Sequence, residues 1–304
     1  MDAPTPGLLP DDVEIRLGDI TDTAVAFAAM SGIDAVVHLA ALLHIVNPPS
    51  NLRERYERIN VGGTATVVDA AIKADVKRVV LTSTIGVYGP SGGRVLDEES
   101  TAVPDSFYGQ TKLAAERIVL AARRADDGQP IGTVLRLAAV YGSRVKGNYS
   151  RLVQALAGGR FLPIGHGSNR RTLVYDKDVA AAVRMALEHP HAAGQVFNVT
   201  DGEIHTLRRI IEAICAGLGR RPPRVALPVT PIRLGLGVAD SLGRAIGRDL
   251  PVNSTMLEKY LEDVAVDGTK IMRELGFRPA YDLTAGWREA IDQMRQNGDL
   301  PRAR

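Results

Sequence analysis

Four short runs of β-branched and aliphatic residues, VEIRL (13–17), DAVVHL (34–39), KRVVLTS (77–83) and IGTVLRL (131–137), alternate with longer stretches whose apolar residues recur every three or four positions. The intervening stretches are TDTAVAFAAMSG, NLRERYERINVGGTATVVDAAIKA and SFYGQTKLAAERIVLAARRA. Few architectures accept this rhythm. Parallel strands need crossovers, and crossover helices land on both faces of the sheet, so the alternation predicts a doubly wound α/β domain. After Tyr141 the rhythm loosens. Asn148 to Ala157, Lys177 to Glu188 and HTLRRIIEAICAGLG read as helices, GQVFNV reads as a short strand, and the region behind Gly219 as a smaller, mixed α/β lobe. A proline-rich connection, GRRPPRVALPVTP (219–231), leads into it, and Asp282 reads as the N-cap of the final helix DLTAGWREAIDQMRQ.

Composition narrows the partners. The 304 residues are 45% hydrophobic and 24% charged, and a net charge of +2 is spread among acidic neighbours, which leaves no nucleic-acid surface. The single cysteine, Cys215, excludes an internal disulfide framework and suits a reducing compartment. No apolar run approaches the about 18 residues of a membrane span, and the N-terminus is not signal-like. The expectation is a cytoplasmic protein with a small-molecule ligand and no membrane partner.

SFYGQTK (106–112) sets Tyr108 and Lys112 four residues apart where helical periodicity begins, so both side chains share one helix face. A cation there should favour phenolate and lower the tyrosine pKa from about 10, fitting it for proton transfer. Upstream, KRVVLTS leaves Ser83 and Thr84 at the C-terminal end of a buried strand, where open α/β sheets place their ligands.

With VYGP, the acidic pair Glu98 and Glu99, and Pro104 lying between that strand end and YGQTK, the chain resembles the extended short-chain dehydrogenase/reductase superfamily, and within it the nucleotide-sugar epimerases and dehydratases. The resemblance implies a Rossmann-like sheet and a catalytic set of Thr84, Tyr108 and Lys112. GDITD resembles the segment that holds adenine, implying Asp19 and Ile20 there; VVHLAA implies Leu39, Ala40 and Ala41 close to the cofactor. INVGGT matches the family's Asn-Val-x-Gly-Thr helix and implies that Asn60 ties strand ends together. Thr82 and Ala138, the latter within LRLAAVYG (135–142), join Tyr108 and Lys112 around the cofactor, which would be NAD, with NADP open. On the substrate side the resemblance implies Asn148 and Arg171 at a nucleotide diphosphate, Leu162 to Ile164 at its base, and Thr84 at the sugar. Residues 1–145, with 172–200 returning to them, would form the cofactor domain, and 146–171 with 201–304 the substrate lobe. A homodimer through the helices carrying Asn60 and Tyr108 is implied as well.

The chain also departs from that pattern. The family opens on a strand and a G-x-x-G-x-x-G turn whose amides hold the cofactor pyrophosphate. No such turn opens this chain, so the expectation is an N-terminally truncated sheet lacking one βαβ unit, with strand 13–17 pairing directly beside strand 34–39 and a natural start further upstream. Ile85 and Gly86 stand where 4,6-dehydratases carry an acid and a base, which argues against dehydration; Ala139 stands where 4-epimerases commonly carry asparagine. The expected activity is epimerisation of a nucleotide-diphosphate sugar at C4 through a 4-keto intermediate. A reductase of a 4-keto nucleotide sugar, and a nucleotide-sugar-binding protein without catalysis, are the alternatives.

Other residues carry plainer readings. His38 and His44 read as packed or loop residues, and His189 and His191 lack companions at metal-ligand spacing. Cys215 reads as core; Arg220, Arg221 and Arg224 could reach a phosphate, although a solvated loop beside two prolines explains them as well. IRLGLGVADSLGRAIG (232–247) could touch a membrane or a partner, but it is short and glycine-broken and reads more plainly as a cover for the substrate lobe.

Overall fold

The computed structural model describes residues 9–43, 52–144, 147–245 and 253–301, without the side chains of 242–245; His44 lies outside this range. In chain order α1 (Thr23–Ala29), β1 (Ala35–His38) and α2 (Leu52–Tyr56) are followed by a π-helical turn (Glu57–Gly62) that continues as α3 (Gly63–Lys73). Then come β2 (Arg78–Thr84), a 3-10 turn (Ile85–Tyr88), α4 (Phe107–Ala121), β3 (Gly132–Leu137), β4 (Ala139–Tyr141) and α5 (Asn148–Ala157). The rest comprises β5 (Arg170–Arg171), β6 (Leu173–Tyr175), α6 (Asp176–Glu188), β7 (Val196–Val199), β8 (His205–Thr206), α7 (Leu207–Leu218), α8 (Val229–Ala245), α9 (Ser254–Leu261), α10 (Thr269–Leu275) and α11 (Leu283–Gln296).

The main sheet is parallel in the order β1-β2-β3-β7, with Ala35 opposite Arg78, Val79 opposite Gly132 and Val134 opposite Val196. Period-two alternation sends Val79, Leu81 and Val134 towards Val67, Ala71, Ala115 and Val119 of α3 and α4. Val80, Leu135 and Phe197 turn the other way, towards Ala182 and Ala186 of α6. Both faces are therefore covered, as the continuous apolar runs of these strands require. Each fully buried Val, Leu or Phe contributes about 1.5–3 kcal/mol. At Gly132 a side chain is impossible, because a Cβ would lie 1.9 Å from the Val119 carbonyl oxygen. This close approach docks the end of α4 on β3.

A second core lies between α5, α7 and α11, where Trp287 stacks on Tyr141 at 4.4 Å among Val153, Ile210 and Ile214. Asp282 caps α11 through Ala285 N at 2.7 Å, as the sequence suggests, and Gly219, at φ 70°, ends α7 in the left-handed region.

Two expectations are corrected, and one run divides. Residues 13–17 form no strand: Ile15 and Leu17 are 52% and 60% exposed, and β1, whose only partner among the described residues is β2, stands at the sheet edge. The segment lies against α1, where Arg16 donates to Ala28 O at 2.6 Å, and β propensity without a neighbouring ladder makes no strand. Run 135–142 breaks at Ala138, whose N–H turns to Val199 O, so β4 leaves the main sheet and pairs with β6. Helix α8 covers the lobe with one face only: Ile232 and Leu236 are half-buried, whereas Leu234 and Val238 stand exposed.

Candidate active site

Helix α4 begins where Ser106 Oγ accepts from Gly109 N at 3.1 Å. Gly109 is packed so closely that a Cβ would meet Gly86 O at 2.9 Å, which brings the start of α4 against the turn following Thr84. Tyr108 is half-buried there, and its ring meets Tyr56 edge-on at 6.4 Å. One turn on, Lys112 is buried, and its Nζ donates to Thr82 O at 2.7 Å. Thr84 Oγ1 accepts from Gly86 N at 3.1 Å, which leaves its own proton for another acceptor.

The electrostatics differ from the sequence reading. Burial, followed by the Tyr56 phenol, pushes the Tyr108 pKa up rather than down. The Lys112 ammonium is directed to a backbone carbonyl instead of the phenol. Burial likewise lowers Lys112 to about 8, with Glu116 opposing the shift. His38 is buried and lowered to about 4, by burial and then by the Lys112 charge. It is neutral at pH 7, and because Thr64 Oγ1 spends its proton on Asn60 O at 2.6 Å, His38 Nε2 is the donor in their 3.0 Å contact.

Asn60, buried within the π-turn, holds several pieces together. Its Oδ1 accepts from Leu42 N at 2.7 Å, while its Nδ2 donates to Leu42 O at 3.2 Å and to Thr111 Oγ1 at 3.1 Å. It thereby joins the segment after β1 to α4. Tyr56 adds a bond from its hydroxyl to Leu43 O at 2.7 Å. Thr82 Oγ1 reaches His38 O at 3.4 Å, which links the ends of β2 and β1.

At the outer edge Asp19 accepts from Thr21 N and Thr21 Oγ1, both at 2.9 Å, and faces Arg58 at 3.8 Å. The Thr21 bonds hold its carboxyl below the usual range. Ile20 packs against Gly63 at the head of α3. Leu39 is exposed, Ala40 and Ala41 are half-buried, and Ala138 is buried at the end of β3.

Thr84 excepted, the residues expected on the substrate side lie apart from Tyr108 and Lys112. Arg171 has its terminal nitrogens committed to backbone carbonyls: Nη2 donates to Tyr260 O at 2.9 Å and Lys259 O at 3.1 Å, Nη1 to Arg170 O at 3.1 Å and to Glu262 O. It caps the C-terminus of α9 instead of presenting an open fork to a diphosphate, and burial lowers its pKa. Ile164 N donates to Tyr260 Oη at 3.4 Å. Leu162 is exposed at the lip of a cleft of about 440 Å³, and Asn148, exposed at the head of α5, borders a smaller cavity of about 40 Å³ with Tyr149 and Trp287. Neither cavity is walled by Tyr108 or Lys112.

Composition and spacing did not reveal a buried polar network behind Lys112. Glu116 receives Ser83 Oγ at 2.5 Å and Arg136 through Nη2 at 2.7 Å and Nε at 3.2 Å. Arg136 lies over the Tyr88 ring at 4.7 Å, and Tyr88 Oη donates to Asn198 Oδ1 at 2.9 Å. The only trace in the sequence is Glu116 standing four residues after Lys112 on the same helix.

These residues fit the nicotinamide-ribose end of a dinucleotide, with a lysine and a tyrosine on one face and small residues at the ends of β1 and β3. The pyrophosphate end has no glycine cradle among the described residues. The single G-x-x-G-x-x-G spacing, Gly86 to Gly92, follows β2 in a 3-10 turn, and a Cβ at Gly89 would lie 2.1 Å from Val103 O. That glycine serves packing.

A parallel sheet whose strand ends carry hydroxyls, beside a helix presenting tyrosine and lysine one turn apart, defines a Rossmann-like fold of the short-chain dehydrogenase/reductase class. The model of the NAD dependent epimerase/dehydratase family matches residues 4–200, and the chain belongs to that family. It is 28% identical over 271 residues to an N-acetyl-alpha-D-glucosaminyl-diphospho-ditrans,octacis-undecaprenol 4-epimerase of Escherichia coli O157:H7, covering 89% of this chain and 80% of that protein. It is 26% identical to a UDP-glucose 4-epimerase of Vibrio cholerae, covering 94% and 81%. Among solved structures, DesIV, a dTDP-glucose 4,6-dehydratase of Streptomyces venezuelae solved with NAD, superposes with a TM-score of 0.71 at 26% identity, over 93% of this chain and 80% of that one.

Proposed function

We propose that the protein is an NAD(P)-dependent epimerase of a nucleotide-diphosphate sugar, acting at C4 through a transient 4-keto sugar. The observation that carries this reading is Tyr108 and Lys112 on one face of α4 beside the end of β2, with Lys112 anchored to Thr82 O. Bound NAD would supply hydride acceptance and return at C4. Burial raises the Tyr108 pKa in the ligand-free fold, so Tyr108 takes the proton of the C4 hydroxyl only as phenolate, a form that the nicotinamide charge of bound NAD would favour, and later gives the proton back. Thr84, whose proton is not spent on Gly86, donates to the same oxygen. Lys112 holds its charge next to the phenol and the ribose, Ala138 leaves room for the nicotinamide, and Asn60 fixes the β1 end against α4.

Asp19, Ile20, Leu39, Ala40, Ala41 and Thr82 complete the cofactor side, while Asn148, Leu162, Ile164 and Arg171 serve the substrate side, Arg171 by fixing the end of α9. Residues 1–145 and 172–200 act as the cofactor domain, with 146–171 and 201–304 as the substrate lobe. The helices bearing Asn60 and Tyr108 form the dimer contact. The two relatives named as 4-epimerases support this assignment.

The test is Tyr108→Phe, assayed with NAD and UDP-sugars. Turnover should fall about 10²–10⁴-fold with UDP-sugar binding unchanged by calorimetry. Unchanged turnover rejects the role of Tyr108. Net consumption of NAD(P)H would replace the epimerase by the reductase, and UDP-sugar binding without any turnover would leave a binding protein.

A further inference from the structure

The second lobe exposes an apolar surface that its own core does not use. Leu162, Val225, Leu227, Leu234 and Val238 all stand open to solvent, the last two at 67% and 62%. Leu162 and Val225 line the same cleft. Leu227 donates to Pro163 O and accepts from Gly165 N, both at 2.8 Å, so it runs as a rail beside residues 163–165. Two residues later α8 begins at Val229, which packs against Gly165. On α8, Leu234 and Val238 share a face one turn apart, while Arg233 ties the helix to α9 through Glu258 at 2.8 Å.

Charge accompanies this surface. Arg220, Arg221 and Arg224 line the cleft that Leu162 and Val225 border, and none of them pairs with a carboxylate among the described residues. We propose that this face docks on an anionic lipid surface, the arginines meeting headgroup phosphates and the leucines and valines entering the acyl boundary. A guanidinium fork matches phosphate oxygens, and apolar side chains beside basic ones are the chemistry of interfacial binding. No described helix is long and apolar enough to cross a membrane. The proposal takes up the membrane contact that the sequence reading of 232–247 set second to a cover, and it does not rest on the sugar-nucleotide assignment.

Co-sedimentation with vesicles of phosphatidylcholine alone, and of phosphatidylcholine with phosphatidylglycerol, tests it. The protein should pellet with the anionic vesicles and be released by 1 M salt, where screening shortens to about 3 Å. Arg221→Gln with Arg224→Gln should weaken binding about fivefold per arginine. Leu234→Asn with Val238→Asn should weaken it about tenfold or more. All four residues are exposed, so far-UV circular dichroism should not change. The proposal is overturned if the wild type stays in the supernatant with anionic vesicles, or if both double variants bind as tightly as it does. A wild-type dimer that Leu234→Asn with Val238→Asn dissociates, without vesicle binding, would assign the face to a second copy.

Discussion

Glu116→Gln removes one charge from an ion pair that water barely reaches. The side chains of Arg136 and Glu116 are 8% and 1% exposed, and the carboxylate also accepts Ser83 Oγ. Glutamine keeps the shape but leaves the Arg136 guanidinium buried opposite a neutral amide. Breaking such a pair from one side costs about 3–5 kcal/mol, a large share of the roughly 5–15 kcal/mol that holds a domain together. Equilibrium urea unfolding at pH 7 measures the loss. Arg136→Met in the same background removes the orphaned charge, so the double variant should regain most of it, and the cycle isolates the coupling. Because Glu116 raises the Lys112 pKa, the single variant should also shift the Lys112 titration to lower pH. A loss below about 1 kcal/mol, or a double variant no more stable than the single one, would refute the argument.

His38, held at about 4 against an ordinary 6.5, stays neutral in the fold while the unfolded chain takes up a proton. Stability should therefore fall by roughly 3 kcal/mol as pH drops from 6.5 to 4, and His38→Gln should flatten that limb of a pH series of unfolding curves. Lys112 gives the opposite edge of the same profile. Its folded pKa of about 8 lies below 10.5, so between those values the unfolded chain binds more protons and stability rises with pH. Lys112→Met should remove that rise and gain roughly 1–2 kcal/mol at pH 7, since it abolishes the burial cost but also loses the bond to Thr82.

Much of the fold was legible because it is local. The apolar runs that became β1, β2, β3 and β7 are long enough to be read alone, and Asp282 announces its helix through N-cap chemistry. VEIRL carries the same residue types, yet a strand exists only with a neighbour to pair with, and sequence pattern does not supply one. At the site, the i to i+4 spacing of Tyr108 and Lys112 is written in the chain. The direction of the Tyr108 shift is not, because it depends on how deeply the phenol sinks beside Tyr56. Arg171 is the clearest limit. Its partners at Lys259, Tyr260 and Glu262 lie about ninety positions away, and no short-range pattern announces them.

The bonds of Asn60 have a mechanical consequence. Leu42 is tied to Asn60, Asn60 to Thr111 and Thr111 Oγ1 to Tyr108 O at 2.9 Å, an unbroken chain of hydrogen bonds. The segment after β1 and the first turn of α4 therefore move as one piece. A displacement of the backbone at Leu42 pulls on the Tyr108 carbonyl, with the π-turn that carries Asn60 standing between them.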